Sequence, residues 1–178
     1  MESKLKTIQT ICKVFRVLSI IVFICSIIGC VLAGIGGLSL RMIQDNDLIV
    51  SGVSVQSLIQ AETGSSPETI SVLCYIGAIL CASEIVISKM TMNYFKKELA
   101  DETPFTLSGA KQLSKLGLYT IIVSLISIIG SSIIASVALK GTNLESYEFS
   151  NGSSLFLGFI FILFGIVFQY GAEITNKK

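Results

Sequence analysis

VLSIIVFICSIIGCVLAGIGGLSL, residues 17–40, runs through 24 positions without a charged side chain. A bilayer core about 30 Å thick needs roughly 20 helical residues. At about 1.5 Å per residue this run is long enough to cross with some tilt. A second run of the same length, Leu116–Leu139, is also free of charge. Two weaker runs repeat the pattern: Ile70–Ser88, interrupted by Glu84 alone, and Leu155–Tyr170, which reaches Ile174 if Glu173 lies at the interface. The sequence therefore predicts an all-α integral membrane protein. Its four transmembrane helices fall at about 17–40, 70–88, 116–139 and 155–174 of a single membrane domain, 1–178.

Composition points the same way. Of the 178 residues, 52% are hydrophobic and 14% charged, with a mean hydropathy of +0.78. An ordinary soluble domain carries about 25% charged residues. Ile27-Ile28-Gly29-Cys30 imitates the cleavage box of a lipidated bacterial precursor. The apolar run nevertheless continues through Val31, Leu32, Ile35 and Leu38, whereas a leader's apolar region ends after about 7–15 residues. A span is the better reading.

Orientation follows from the basic residues. The chain has 13 Lys and Arg, and eleven fall into three places: Lys4, Lys6, Lys13 and Arg16 before the first span; Lys89, Lys96, Lys97, Lys111 and Lys115 in loop 89–115; and Lys177 and Lys178 at the end. Loops 41–69 and 140–154 hold only Arg41 and Lys140. Cytoplasmic loops carry the excess of Lys and Arg, so both termini and loop 89–115 are expected inside.

Lipid is as apolar as leucine, so membrane helices associate through small residues and interhelical hydrogen bonds. Each span carries such a seam at helical spacing. The first has Ser26, Gly29, Ala33 and Gly36; the second Cys74, Gly77, Cys81, Glu84 and Ser88. The third has Gly117, Thr120, Ser124, Ser127, Ser131 and Ala138, and the fourth Gly158, Gly165 and Ala172. A compact four-helix bundle is the expected packing.

Glu84 is the odd member. It sits on a seam, about 21 Å in from Ile70, where an acidic group costs less than the ~2.5–3.5 kcal/mol of the midplane. Gln169 and Glu173 lie one turn apart at the end of the fourth span, at a depth expected to match. Two carboxylates brought together can share a proton or hold a cation, so Glu84, Gln169 and Glu173 form a candidate intramembrane polar site. The structural alternative is a hydrogen bond from Glu84 to a serine, or a pairing with Lys89.

Outside the spans, residues 1–16 read as a short basic helix or tail. Val53, Val55 and Leu58-Ile59 in the acidic loop 41–69 fit a strand or a helical turn equally. In loop 89–115 the second helix is expected to continue towards Ala100, and Pro104 disfavours helix at the residue before it. Thr106 then offers an N-cap for a short amphipathic helix, with Leu107, Ala110, Leu113 and Leu116 on its apolar face and Lys111 and Lys115 on the wetter one.

Catalytic chemistry finds little support. There is no His, which removes the usual imidazole bases and ligands. Cys12, Cys25, Cys30, Cys74 and Cys81 form no C-x-x-C pair and read as small packing residues. Gly34-Ile35-Gly36-Gly37 lies inside an apolar span with no Walker lysine, and Ser108-Gly109-Ala110-Lys111 lacks every partner motif of the S-x-x-K acyl enzymes. No enzyme activity, cofactor, metal or direct nucleic-acid binding is expected.

Asp101-Glu102-Thr103-Pro104-Phe105-Thr106, followed by Ala110-Lys111 and Leu116-Gly117, and the closing Phe168-Gln169-Tyr170-Gly171-Ala172-Glu173-Ile174 carry a resemblance. With four spans in a chain of this size, they resemble the bacterial family called domain of unknown function twenty-nine seventy-five. The resemblance covers the whole chain by topology and about a dozen positions by motif. Members usually follow Pro-Phe-Thr with Glu and Asn, where this chain has Ser108-Gly109, so the expected capping carboxylate is missing. They also end in further acidic residues, where this chain ends Thr175-Asn176-Lys177-Lys178. The family has no established biochemical role, and its members are often encoded beside small helix-turn-helix regulators.

The resemblance implies a protein of the bacterial inner membrane, the lipid bilayer its first partner. It would serve as a non-catalytic regulatory or sensory partner of a cytoplasmic protein such as a helix-turn-helix regulator, touching it through Pro104, Phe105 and Thr106. A small transporter or immunity-type protein using the intramembrane carboxylates is the second reading, and a structural subunit of a membrane complex the third.

Overall fold

A computed structural model of the chain describes residues 2–46, 49–50, 53–54, 57, 59–60, 65–100, 106–138 and 152–176. Four long helices dominate them: α1 (Glu2–Asn46), α2 (Pro67–Ala100), α3 (Leu107–Ala138) and α4 (Gly152–Asn176). Each contains a stretch long and apolar enough to cross a membrane, at Gln9–Ile43, Pro67–Ala100, Leu107–Ala138 and Ser154–Ile174. This is the signature of a multi-pass membrane protein. Between α1 and α2, β1 (Ile49–Val50) and β2 (Val53–Ser54) pair antiparallel, with Val50 opposite Val53. That ladder resolves the strand-or-helix ambiguity at Val53 in favour of strand; Val55 and Leu58 lie outside the described residues.

The helix ends obey local chemistry. Ser66 caps α2, its Oγ accepting from the Thr69 N–H at 3.2 Å. Pro67 takes the first helical position, where its missing N–H costs nothing, and Glu68 faces the positive end of the helix dipole. Thr106 caps α3 as the sequence predicts, accepting from the Gly109 N–H at 2.9 Å. The short amphipathic helix is not a separate element, however. α3 runs unbroken from Leu107 to Ala138, because Leu113 and Leu116 keep the same buried face that Thr120 and Ser124 continue. The basic N-terminal stretch is likewise the start of α1.

Contacts gather the chain into two compact units, where the sequence predicts one domain: Met1–Cys25, Ser83–Ile126 and Asn151–Lys178 in the first, Ser26–Ala82 and Ser127–Ser150 in the second. Within the second unit α1 and α2 pack antiparallel through their small residues. A methyl group on Gly29 would lie 3.1 Å from the Cys81 Sγ, and one on Gly37 3.1 Å from the Tyr75 ring. The Ser71 hydroxyl donates to the Gly37 carbonyl at 2.9 Å, tying the two helices together.

Within the first unit α3 and α4 come closer still. A methyl on Gly117 would lie 2.6 Å from the Gly158 carbonyl oxygen and 2.8 Å from the Ile162 nitrogen. One on Gly165 would lie 2.8 Å from the Ser114 nitrogen. Only hydrogen side chains permit this approach, which is how membrane helices gain dispersion energy without a hydrophobic drive. Ala172 continues the contact face and is buried. At the far end of the same unit Phe15 of α1 stacks on Phe95 of α2, ring centroids 5.5 Å apart.

The α3 seam is the most completely buried feature among the described residues. Thr120, Ser124, Ser127 and Ser131 are each at most 3% exposed. The hydroxyls of Thr120 and Ser131 donate back to the Leu116 and Ser127 carbonyls at 2.9 and 2.7 Å, so burial leaves them satisfied within their own helix.

Candidate functional site

The intramembrane carboxylates do not meet. Glu84 accepts a hydrogen bond from the Ser154 hydroxyl through its Oε1 at 2.8 Å. Gln169 donates to Glu173 Oε1 at 3.3 Å on an exposed face of α4. Ser154 and Glu173 are nineteen residues apart on one helix, about 28 Å along its axis. The expectation of equal depth fails because spans set end to end would place the start of α4 beside Ile70. The glycine contacts with α3 instead hold Ser154 beside Glu84, about 21 Å further along α2. Glu84, Gln169 and Glu173 are therefore two separate polar contacts.

The serine partner is what the structural alternative for Glu84 expects; Lys89 lies elsewhere, its ammonium 5.3 Å from the centre of the Phe23 ring. Glu84 also gains from position. Ser154 stands in the first turn of α4, where the unpaired N–H groups and the helix dipole favour negative charge. Replacing Ser154 by Ala removes a side-chain donor from Glu84. A loss of about 1–2 kcal/mol is expected in thermal unfolding of the detergent-solubilised chain, with Ser154→Thr retaining most of it.

Of the proposed contact residues, Pro104 and Phe105 lie outside the described residues. Thr106 is accounted for by its capping bond to Gly109.

One residue to which no sequence motif draws notice organises this end of the molecule. Glu98, near the end of α2, is buried at 7% exposure. A methyl on Gly109 would touch its Oε1 and lie 3.0 Å from its carboxyl carbon. The carboxylate thus sits against the first turn of α3, where Ser108-Gly109 places no acidic residue of its own. α2 supplies from outside the charge that a capping box supplies from within. Spacing alone carries the signal: Ile87, Thr91, Tyr94 and Glu98 follow one another at three- and four-residue steps on the packed face.

Two of the three α2 carboxylates, Glu84 and Glu98, therefore lie fourteen residues apart, one at the start of α4 and one at the start of α3. Among the described residues no group of three or more His, Cys, Asp or Glu could hold a metal ion. Cys12, Cys25, Cys30, Cys74 and Cys81 are all free thiols. No protein-family model, curated protein or solved structure matches the chain.

Proposed function

We propose that the chain is a bacterial inner-membrane protein, both termini cytoplasmic, acting as a non-catalytic regulatory or sensory partner of a cytoplasmic protein. The observation that supports this reading is the clasped end of α2 and α3. α2 continues twelve residues beyond Ser88, about 18 Å, and α3 begins nine residues before Leu116. A connection that only joined two spans would need neither extension. Here the hairpin is braced by Glu98 against Gly109 and by Phe95 against Phe15, and it displays Lys96, Lys97, Lys111 and Lys115. Such a brace fixes the facing ends of α2 and α3, and a preordered surface binds at lower entropic cost.

The separation of Glu84 from Glu173 withdraws support from a shared ion or proton site. Gentle crosslinking in native membranes followed by purification of the full chain is expected to recover a soluble partner. Phe105→Ala should reduce that recovery at least tenfold, the loss of about 1.4 kcal/mol or more that a buried aromatic anchor commonly causes. Recovery of no soluble protein from wild-type membranes would sink the reading.

A further inference from the structure

Between the ends of α2 and α3 lies an open cleft of about 320 Å³. Its α2 wall includes Met90, Tyr94 and Lys97, and its α3 wall Gln112, Lys115, Leu116 and Tyr119. On each helix these positions repeat at three- and four-residue steps, so one face of each lines the space. Two lysines contribute and no carboxylate does. Lys89, outside the cleft, has its charge placed over the Phe23 ring instead.

The lining is graded along the helix axes. α2 and α3 run in opposite directions from their shared end, so Lys97 and Gln112 are the cleft residues nearest loop 101–105. Tyr94 and Lys115 follow, then Asn93, Met90, Leu116 and Tyr119 towards the spans. Seven helical residues, about 10 Å, cover the change from the lysine end to one where Met90 and Leu116 lie beside Asn93 and Tyr119. A soluble anion would use only the first part of that gradient and an apolar molecule only the last. A phospholipid uses both: phosphate at the lysines, glycerol near the tyrosine hydroxyl, acyl chain along Met90 and Leu116. Basic pockets between membrane helices on the cytoplasmic side suit anionic headgroups for the same reason.

We propose that this cleft is a binding site for one anionic phospholipid, its headgroup phosphate held between Lys97 and Lys115. The assignment goes beyond the partner reading and stands without any soluble protein. The test is native mass spectrometry of the full chain in detergent, titrated with phosphatidylglycerol, with phosphatidylcholine, and with phosphatidylglycerol in the presence of inorganic phosphate. Wild type should retain one phosphatidylglycerol in preference to phosphatidylcholine. Each lysine near an anionic surface is worth about a factor of five, so Lys97→Gln with Lys115→Gln should weaken retention roughly 30-fold. Lys97→Arg with Lys115→Arg should keep it, and Lys96→Gln with Lys111→Gln, outside the cleft, should cost at most about fivefold.

Equal retention of phosphatidylcholine overturns the proposal. So does an equal loss in the Lys96/Lys111 pair, which would mean diffuse surface attraction. Displacement of the lipid by millimolar inorganic phosphate also overturns it, by making a soluble phosphate the ligand.

Discussion

Gly117→Ala is expected to destabilise the protein by about 2–3 kcal/mol, the upper part of the range for overpacking, whereas the same change at Gly77 or Gly130 should be harmless. The new methyl would meet the Gly158 carbonyl oxygen at 2.6 Å and the Ile162 nitrogen at 2.8 Å. Both are backbone atoms of α4, so no side chain can rotate away; the helices must part. Parting them strains the Ser154–Glu84 bond and the Gly165–Ser114 contact as well. Gly77→Ala and Gly130→Ala are the internal controls, since a methyl at either meets nothing within 4 Å. They should leave stability unchanged or raise it by up to about 1 kcal/mol through helix propensity. Thermal unfolding of the three variants in one detergent decides the matter, and equal stabilities would remove the close α3–α4 crossing from consideration.

The second large effect concerns Glu98. Glu98→Ala withdraws a buried carboxylate from the start of α3 and is expected to cost about 1–3 kcal/mol. Gly109→Ala should be damaging by itself, because its methyl would strike that carboxylate. Combined, the two should cost less than their sum, since without Glu98 the methyl has room. A coupling on the order of 1–3 kcal/mol is in the range for residues in direct contact. Amide exchange gives an independent readout: protection should fall at Leu107–Lys111 in Glu98→Ala while Ile76 and Ser71 keep theirs. Strict additivity of the two changes would show that Glu98 does not touch Gly109.

Hydropathy and spacing make a definite part of this molecule legible in the order of its residues. Four apolar helices follow from run length, since the bilayer demands so many residues without charge. The α3 seam is readable because close packing admits only small side chains, and Thr120, Ser124, Ser127 and Ser131 recur at helical spacing. Thr106 is readable as a cap because its chemistry is local. The inward orientation of Glu84 follows from the seam on its own helix.

Register is not legible in the same way. Hydropathy measures the length of a span and says nothing about which residue of one helix stands level with which of another. Equal depth for Glu84 and Glu173 assumes that all four spans begin together. The Gly117–Gly158 contact sets a different level, and a glycine that touches a backbone looks in sequence like Gly77, which touches nothing. Glu98 is hidden for a related reason. A charged neighbourhood around Lys96 and Lys97 disguises a residue whose neighbour is the backbone of the next helix, and no side-chain pairing rule points there. The unbroken α3 is equally hidden, because a basic stretch outside the membrane reads as a helix of its own.

Glu84 and Glu98 of α2 also differ in how long each waits during synthesis. Glu98 meets Gly109 eleven residues later, so at about 5–20 residues per second its place is complete within roughly 0.5–2 s. Glu84 must await Ser154, seventy residues on, for roughly 4–14 s. Throughout that interval Glu84 lacks the hydroxyl that donates to it in the folded chain. Release of α2 into lipid at that stage would set Glu84 against hydrocarbon.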